Sequence, residues 1–354
     1  MIIEKAPGKL FLAGEYAVTN TGQTSIILAI DRYITVTLTE RTDDSIRLSN
    51  EDFTSLSVEL IDLPTLKLAG NWSLGLRTLQ VVDAYLKCKE INLPAYDIKI
   101  SSDLKQDNQK LGLGSSAALV VAILRAVLRD TQVEISNDNL FKLGVLITLT
   151  TPPFHGGSMG DIAAAVYGGT IHYQKFDGDW LKKELDDHSV LELVSIEWPE
   201  LAITPINFPS DWQLLVGWTQ KEANTQDMLA VNPELAKLYR RTLSTKSTPL
   251  VNKLALAISD ADFLRVATLM RLNQEALKLY AKAMHLNYLT DRLKMLMVIA
   301  HKFGAATKIS GAGGGDNGLA IVKSAEKADK IRDAWEKHGI TPLDLSIAPE
   351  RGTN

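Results

Sequence analysis

An α+β fold in two lobes is what this chain predicts, and three observations carry that reading. Strand-like and helix-like segments follow one another in mixed order rather than as a regular βαβ series. At 354 residues the chain is long enough for two domains. An acidic, irregular stretch over 177–210, with Pro199, Pro205 and Pro209, parts a strand-rich first half from a second half dominated by long helices.

The elements justify this in order. "KLFLAGEYAV" (9–18) reads as a strand running to a Thr-Gly turn, and "YITVTLT" (33–39) alternates apolar and polar residues at strand period. Residues 72–87 space their apolar side chains as a helix, 96–104 alternate again, and helical patterns follow at 117–129 and 138–150. "GGTIHYQKF" (168–176) closes the first half as a strand. The second opens with the strand "WQLLVGWT" (212–219) and continues with helices over 229–258, 260–284 and 288–303. A β-like "LAIV", a helix over 325–338 and the strand "LDLSIA" (343–348) end it. The expected lobes are 1–205 and 206–354.

Composition excludes several classes. With 45% hydrophobic and 23% charged residues the chain has the make-up of a soluble globular protein. A net charge of −4 gives no general reason to bind nucleic acid, so an anionic ligand needs a local cluster of donors. Cys88 is the single cysteine, so no intrachain disulfide can form; it reads as a small side chain on an amphipathic helix. "MIIEKAPGKLFLAGEY" lacks the apolar stretch of a signal peptide, and the run at 117–128, broken by Arg125, is too short to span a membrane. The cytoplasm is the expected compartment, with no membrane partner. Six histidines without ligand spacing give no zinc site; His155 could face a cleft.

"KLGLGSSAALVVAILRAVL" (110–128) sets two glycines and two serines ahead of an apolar helix. "GLGSSA" fits the letters of a dinucleotide fingerprint, but "KQDNQK" stands where that fold needs a strand, and no second strand separates the helix from Asp130. "GGGDNG" (313–318) runs into a strand rather than a helix and fails too. A phosphate loop suits the context better. Glycines let backbone approach an anion, and the first amides of the helix have no intrahelical partner. Ser115 and Ser116 add hydroxyls for phosphate or magnesium, while Ala117 keeps the helix start slim. The bland alternative is a serine cap on a buried helix. No G-x-x-x-x-G-K-[ST] occurs, so a phosphate lysine must come from elsewhere. Lys9 sits on a stiff strand after Pro-Gly, although a lysine near a turn is often merely solvated. Asp161 opens a small-residue helix after "GGSMG", where it equally suits a helix-initiating acid.

Three segments, "APGKLFLAGEYAV", "GLGSSAALV" and "KISGAGGGDNGLAI", occur in the order and at the separations of the GHMP kinase motifs, and the chain resembles that family from Ile2 to about Ala348. Departures exist: Tyr16 stands where mevalonate kinases carry histidine, and Asp316-Asn317 follow the third glycine run. The details look most like the bacterial branch whose acceptor is (R)-5-phosphomevalonate, an ATP-dependent step of the mevalonate route to isoprenoids, with mevalonate kinase as the nearest rival and a non-catalytic ligand-binding protein of the same fold further off.

The resemblance implies an N-terminal ribosomal-S5-like lobe with a left-handed βαβ element, a C-terminal ferredoxin-like lobe, and an active site in the cleft between them. It implies Lys9 and Asp161 as catalytic residues, with Asp161 either a base or a group that orients Lys9 or the acceptor. Lys110, Gly112, Leu113, Gly114, Ser115, Ser116 and Ala117 would hold ATP, with Ser116 on Mg2+; for Lys110 a solvated loop lysine is the alternative. Glu15, Tyr16, Ser158, Ser310, Gly311, Ala312, Gly313 and Gly314 would bind substrate, the last run as a second backbone cradle. Trp72 and Ser73 lie in a region that often approaches the nucleotide in this family, although a buried tryptophan is the simpler account. A monomer or homodimer is expected.

Overall fold

Two long antiparallel strands, β1 (Ile2–Ala13) and β2 (Thr24–Glu40), form the spine of the first lobe in this computed structural model, which describes residues 1–106, 109–152, 154, 156–220 and 233–352. The first sheet runs β4 (Leu56–Glu59), β3 (Ser45–Ser49), β5 (Tyr96–Ser102), β2, β8 (Thr170–Gln174), β9 (Ala202–Ile206), with β1 paired to β2 beside that path. β2 joins β8 through Thr24–Leu28 and β5 through Ile34–Glu40. Its first half, "TSIILAI", escaped the strand pattern because Thr24–Ile30 are all buried, and a strand covered on both faces does not alternate. A two-residue ladder of β6 (Lys105–Gln106) and β7 (Gln109–Lys110) leads into the glycine-serine segment.

Four helices, α1 (Ser73–Lys87), α2 (Ser115–Asp130), α3 (Asn137–Leu149) and α4 (Gly160–Tyr167), cover the sheet. α2 is the central one and packs on β1, β2 and the other three helices, which is why its sequence is apolar almost all round.

The stretch expected to be irregular instead holds α5 (Gly178–Asp187), α6 (Val190–Ser195) and β9. Asp177 accepts from the amides of Asp179 and Trp180, and Ser189 with Glu192 makes a capping box, so both helix starts were written locally. Pro205 is tolerated because β9 is the edge of its sheet.

The second lobe is a four-stranded antiparallel sheet in the order β11 (Ala306–Ile309), β12 (Asn317–Val322), β10 (Gln213–Trp218), β13 (Thr341–Leu343). α9 (Asp291–Lys302) and α10 (Ala325–Lys337) bury Leu296, Ile299 and Trp335 against it. α7 (Pro233–Ser259) and α8 (Phe263–Ala283) pack on each other, with α8 on β11 and α7 reaching across to β2. Of the helix expected over 229–258, residues 229–232 lie outside the described residues.

Of "LDLSIA" only Leu343, the last residue of β13, belongs to the second sheet. Ile347 bridges Ile30, and the Ala348 amide donates to Ala29, so the chain end crosses back to the first lobe, where Arg351 donates its amide to the Tyr167 carbonyl. One apolar core runs through both lobes, from Val36 and Ile123 to Trp218 and Met270. Among the described residues no helix is long and apolar enough to cross a membrane.

Gly217 in β10 lies under α9 and the start of β13. A β-carbon there would stand 2.7 Å from Leu296 Cδ1 and 2.9 Å from Ile340 Cγ2. Gly217→Ala is therefore expected to cost about 1–3 kcal/mol by overpacking, read as a lower urea midpoint with an unchanged slope.

Candidate active site

The glycine-serine segment folds as a loop that turns straight into α2. Gly114 is the residue before the helix, in the left-handed conformation at φ 82°, and no side chain caps the first turn. The amides that begin α2 thus face outward with the positive helix end, as a phosphate site requires. Ser115 and Ser116 are half-buried, and with Lys110, which is exposed, they line a cavity of about 370 Å3. Ser73, Phe53 and the Asp52–Lys105 ion pair line its far side. Trp72 is 8% exposed and donates to the Thr54 carbonyl, so it is a core residue and only Ser73 reaches the cavity.

β1 brings Lys9 to this loop. Its amide donates to the Leu113 carbonyl at 2.8 Å, and its side chain lies so close over Gly114 that a β-carbon there would be 2.9 Å from Lys9 Cγ. Lys9 Nζ sits 5.3 Å from the Phe11 ring centre. The lysine missing from the loop is thus laid over it from another strand, and glycine at 114 is what makes room. Ala117 is buried, as a slim helix start needs.

α4 packs against β1 and α2, which carries Asp161 to the same side of the lobe. Met159 precedes the helix with φ 62°, the Ser158 hydroxyl accepts from the Gly160 amide, and the Ser158 carbonyl accepts from Tyr173. Lys175, absent from the sequence-derived set, closes this turn: its ammonium donates to the Gly157 carbonyl at 3.1 Å and lies 4.0 Å from the Phe176 ring centre. Burial pushes its pKa down to about 8 against the opposing pull of Asp161. His155 lies outside the described residues.

Glu15 and Tyr16 are not open to a ligand in the simple sense expected. Glu15 is 3% exposed and its Oε1 is bound by the ammonium of Lys308, itself fully buried. The Gly311 amide points at the same oxygen at 3.4 Å, while Oε2 is buried with no hydrogen-bond partner among the described residues. Burial lowers the Lys308 pKa and Glu15 resists that fall. The Tyr16 hydroxyl donates to the Ala312 carbonyl at 2.5 Å, its ring packs on Tyr280, and burial raises its pKa. Both residues hold the third motif.

That motif is narrower as a cradle than expected. The Ser310 amide is taken by the Asn317 carbonyl and the Gly314 amide by the Tyr288 carbonyl, with Gly313 packed on the Tyr288 ring. Ser310 is 6% exposed. The departure at Asp316-Asn317 has a structural use: the Asn317 side chain donates to the Leu111 carbonyl at 2.6 Å, and Asp316 lies 2.7 Å from where a Gly112 β-carbon would be. The third motif is thereby seated on the glycine-serine loop. Lys308, Asn317 and Lys175 were not found from sequence, because each looks like an ordinary polar residue in or beside a strand until its partner is known.

A kinase constellation on this two-lobed fold defines the class, and the comparisons agree. Residues 77–169 match the GHMP kinases N terminal domain and residues 254–341 the GHMP kinases C terminal domain, and the chain belongs to the GHMP kinase family. A phosphomevalonate kinase of Streptomyces sp. (strain CL190) is 30% identical, with 99% of this chain and 98% of that protein covered. The solved Streptococcus pneumoniae phosphomevalonate kinase in complex with phosphomevalonate and AMPPNP superposes with a TM-score of 0.86 at 26% identity, covering 98% of this chain and all of that one. A mevalonate kinase of Thermococcus gammatolerans is 25% identical over 99% of this chain and 97% of that protein.

The depressed Lys175 gives a pH prediction. Its folded pKa lies below the unfolded value near about 10.4, so between pH 8 and about 10.4 the unfolded chain holds a proton the folded one has lost. Stability attributable to this site therefore rises with pH across that window. Urea midpoints of the wild-type protein are expected to gain on those of Lys175→Met from pH 7.5 to 10, by an amount on the order of a few kcal/mol; a constant difference would contradict it.

Proposed function

We infer that the chain transfers the γ-phosphoryl group of ATP to (R)-5-phosphomevalonate, giving 5-diphosphomevalonate and ADP. The observation that carries this is Lys9 laid over Gly114 at the start of α2, in a chain similar over its full length to phosphomevalonate kinases. The loop fits a nucleotide: glycines at 112 and 114 leave the space, and the helix end with Ser115 and Ser116 supplies donors and hydroxyls. Ser116 would hold Mg2+, which supplies charge neutralisation between the phosphates. Lys110 would add a further cation at the mouth.

In the reaction an oxygen of the acceptor phosphate forms a bond to the γ-phosphorus, and the bond from that phosphorus to the β,γ-bridging oxygen breaks, its electrons leaving with ADP. A phosphate monoester has its second pKa near about 6, so the acceptor is already a dianion at neutral pH and needs little help losing a proton. What it needs is relief from repulsion by the ATP tail. Lys9 provides that by standing over the loop, which is electrostatic stabilisation rather than base catalysis. Asp161, beside the buried Lys175, orients the acceptor or Lys9. Ser158 and the half-buried Gly311–Ala312 turn would face the acceptor, while Glu15 and Tyr16 act through the third motif. Work in the cytoplasm suits a chain whose single cysteine is unpaired, and a monomer or homodimer is the proposed assembly.

Release of ADP is expected with 5-phosphomevalonate, and not with mevalonate or 5-diphosphomevalonate; activity with mevalonate instead would move the chain to the rival branch. On the active acceptor, Lys9→Ala is expected to lose far more turnover than Asp161→Asn in steady-state kinetics. Equal losses of several decades would make Asp161 an obligatory base.

A further inference from the structure

A cavity of about 730 Å3 lies between α8 and α9, with the start of β11 as its floor, and shares no lining residue with the one at the glycine-serine loop. α8 lends it Phe263, Leu264 and Ala267, and α9 lends it Met297 and Val298. The core does not absorb these side chains: Leu264 is 79% exposed and Val298 44%. One exposed leucine means little, but an apolar channel with both walls open to water is a place to hold an apolar ligand.

The same two helix faces carry cations. Arg271 follows Ala267 by one turn of α8, and Lys294 and Lys302 stand on either side of Met297 and Val298 on α9. All three are exposed, and none is in an ion pair with another described residue. Lys278 and Glu275, also on the rim, offset each other at 2.8 Å. In a chain of net charge −4, three unpaired positive charges around an apolar channel favour an anion.

Gln274 gives an independent sign of a missing partner. It sits on the cavity wall one turn beyond Arg271 and is 3% exposed. Its Oε1 accepts from the Ile309 amide at 3.0 Å, which fixes the orientation of the side-chain amide. Nε2 is then buried with no acceptor among the described residues. A buried donor left unmade is costly, and an oxygen brought by a ligand would complete it.

We propose that the α8–α9 groove is a binding site, separate from the transfer cleft, for a free single-chain aliphatic carboxylate. Its head group would take the Gln274 amide and Arg271, and its tail would lie along Phe263, Leu264, Met297 and Val298. A carboxylate matches the two parallel N–H donors of a guanidinium. The volume suits one small ligand better than a helix of another protein. A second copy of the chain, docked by two-fold symmetry, would set these cations against themselves. Because Gln274 also holds Ile309, a bound molecule would touch the strand that runs from Lys308 into the third motif. The site does not depend on which phosphoryl acceptor the cleft takes.

Calorimetric titration of the full chain with dodecanoate, kept below its micellar range, is expected to show one saturable site per chain. Acetate, which lacks the tail, and dodecyltrimethylammonium, which reverses the charge, are expected to bind at least about tenfold more weakly. Arg271→Ala and Val298→Asp alter exposed side chains, so thermal midpoints are expected to stay at the wild-type value. Each is expected to weaken dodecanoate binding by about tenfold, whereas saturating AMPPNP leaves it within about threefold. No binding, several dodecanoates per chain, or unchanged affinity in both variants overturns the site. Dodecanol binding as tightly as dodecanoate overturns the choice of an anion, and displacement by AMPPNP moves the amphiphile to the nucleotide pocket. A dimer in sedimentation that Val298→Asp dissolves, or wild-type protein that pellets with phosphatidylglycerol vesicles, gives the groove to a second copy or to a membrane and is equally fatal.

Discussion

The buried ion pair between Glu15 and Lys308 is the contact on which the geometry of the cleft depends. It joins the end of the first motif to the strand that feeds the third, and both partners are shut from water. A pair of this kind earns little net stability, since desolvation offsets much of the attraction. Losing one partner, however, leaves a naked buried charge, typically at a cost of about 3–5 kcal/mol. Its value here is positional. Around it the Gly311 amide and the Tyr16–Ala312 hydrogen bond fix the third motif against the first lobe, while the Gln274 side chain, which accepts from the Ile309 amide, ties it to α8 within the second.

The glycine-serine loop is held from two other directions. Lys9 covers Gly114 from β1, and Asn317 grips the Leu111 carbonyl from β12. Each contact crosses between segments far apart in sequence, so the cleft is assembled by tertiary structure rather than by any single motif. Positioned donors that need not reorganise are what phosphoryl transfer asks of a protein.

Much of this was legible in the sequence, and what was not has physical reasons. The turn of the glycine-serine segment into α2 could be read because small residues before an apolar run leave a local signature; the roles expected of Lys9 and Asp161 rested on the family resemblance. β2 could not be read in full, because Thr24–Ile30 are buried on both faces and lose their alternation. α5 and α6 were readable in principle from the caps at Asp177 and Ser189 but were obscured by neighbouring prolines. Glu15 was expected to bind substrate through its motif; the partner that holds it, Lys308, lies 293 residues away, and no spacing rule reaches that far.

The most direct test of the account is a double-mutant cycle on the pair itself, measured as kcat with saturating substrates for Glu15→Gln, Lys308→Met and the two together. If the pair acts as a positioning unit, each single change lowers kcat by about tenfold or more, and the double variant is no worse than the weaker single, a coupling of at least about 1.4 kcal/mol. Losses that simply multiply would show that the two residues act independently, and the seam would not be what orders the cleft.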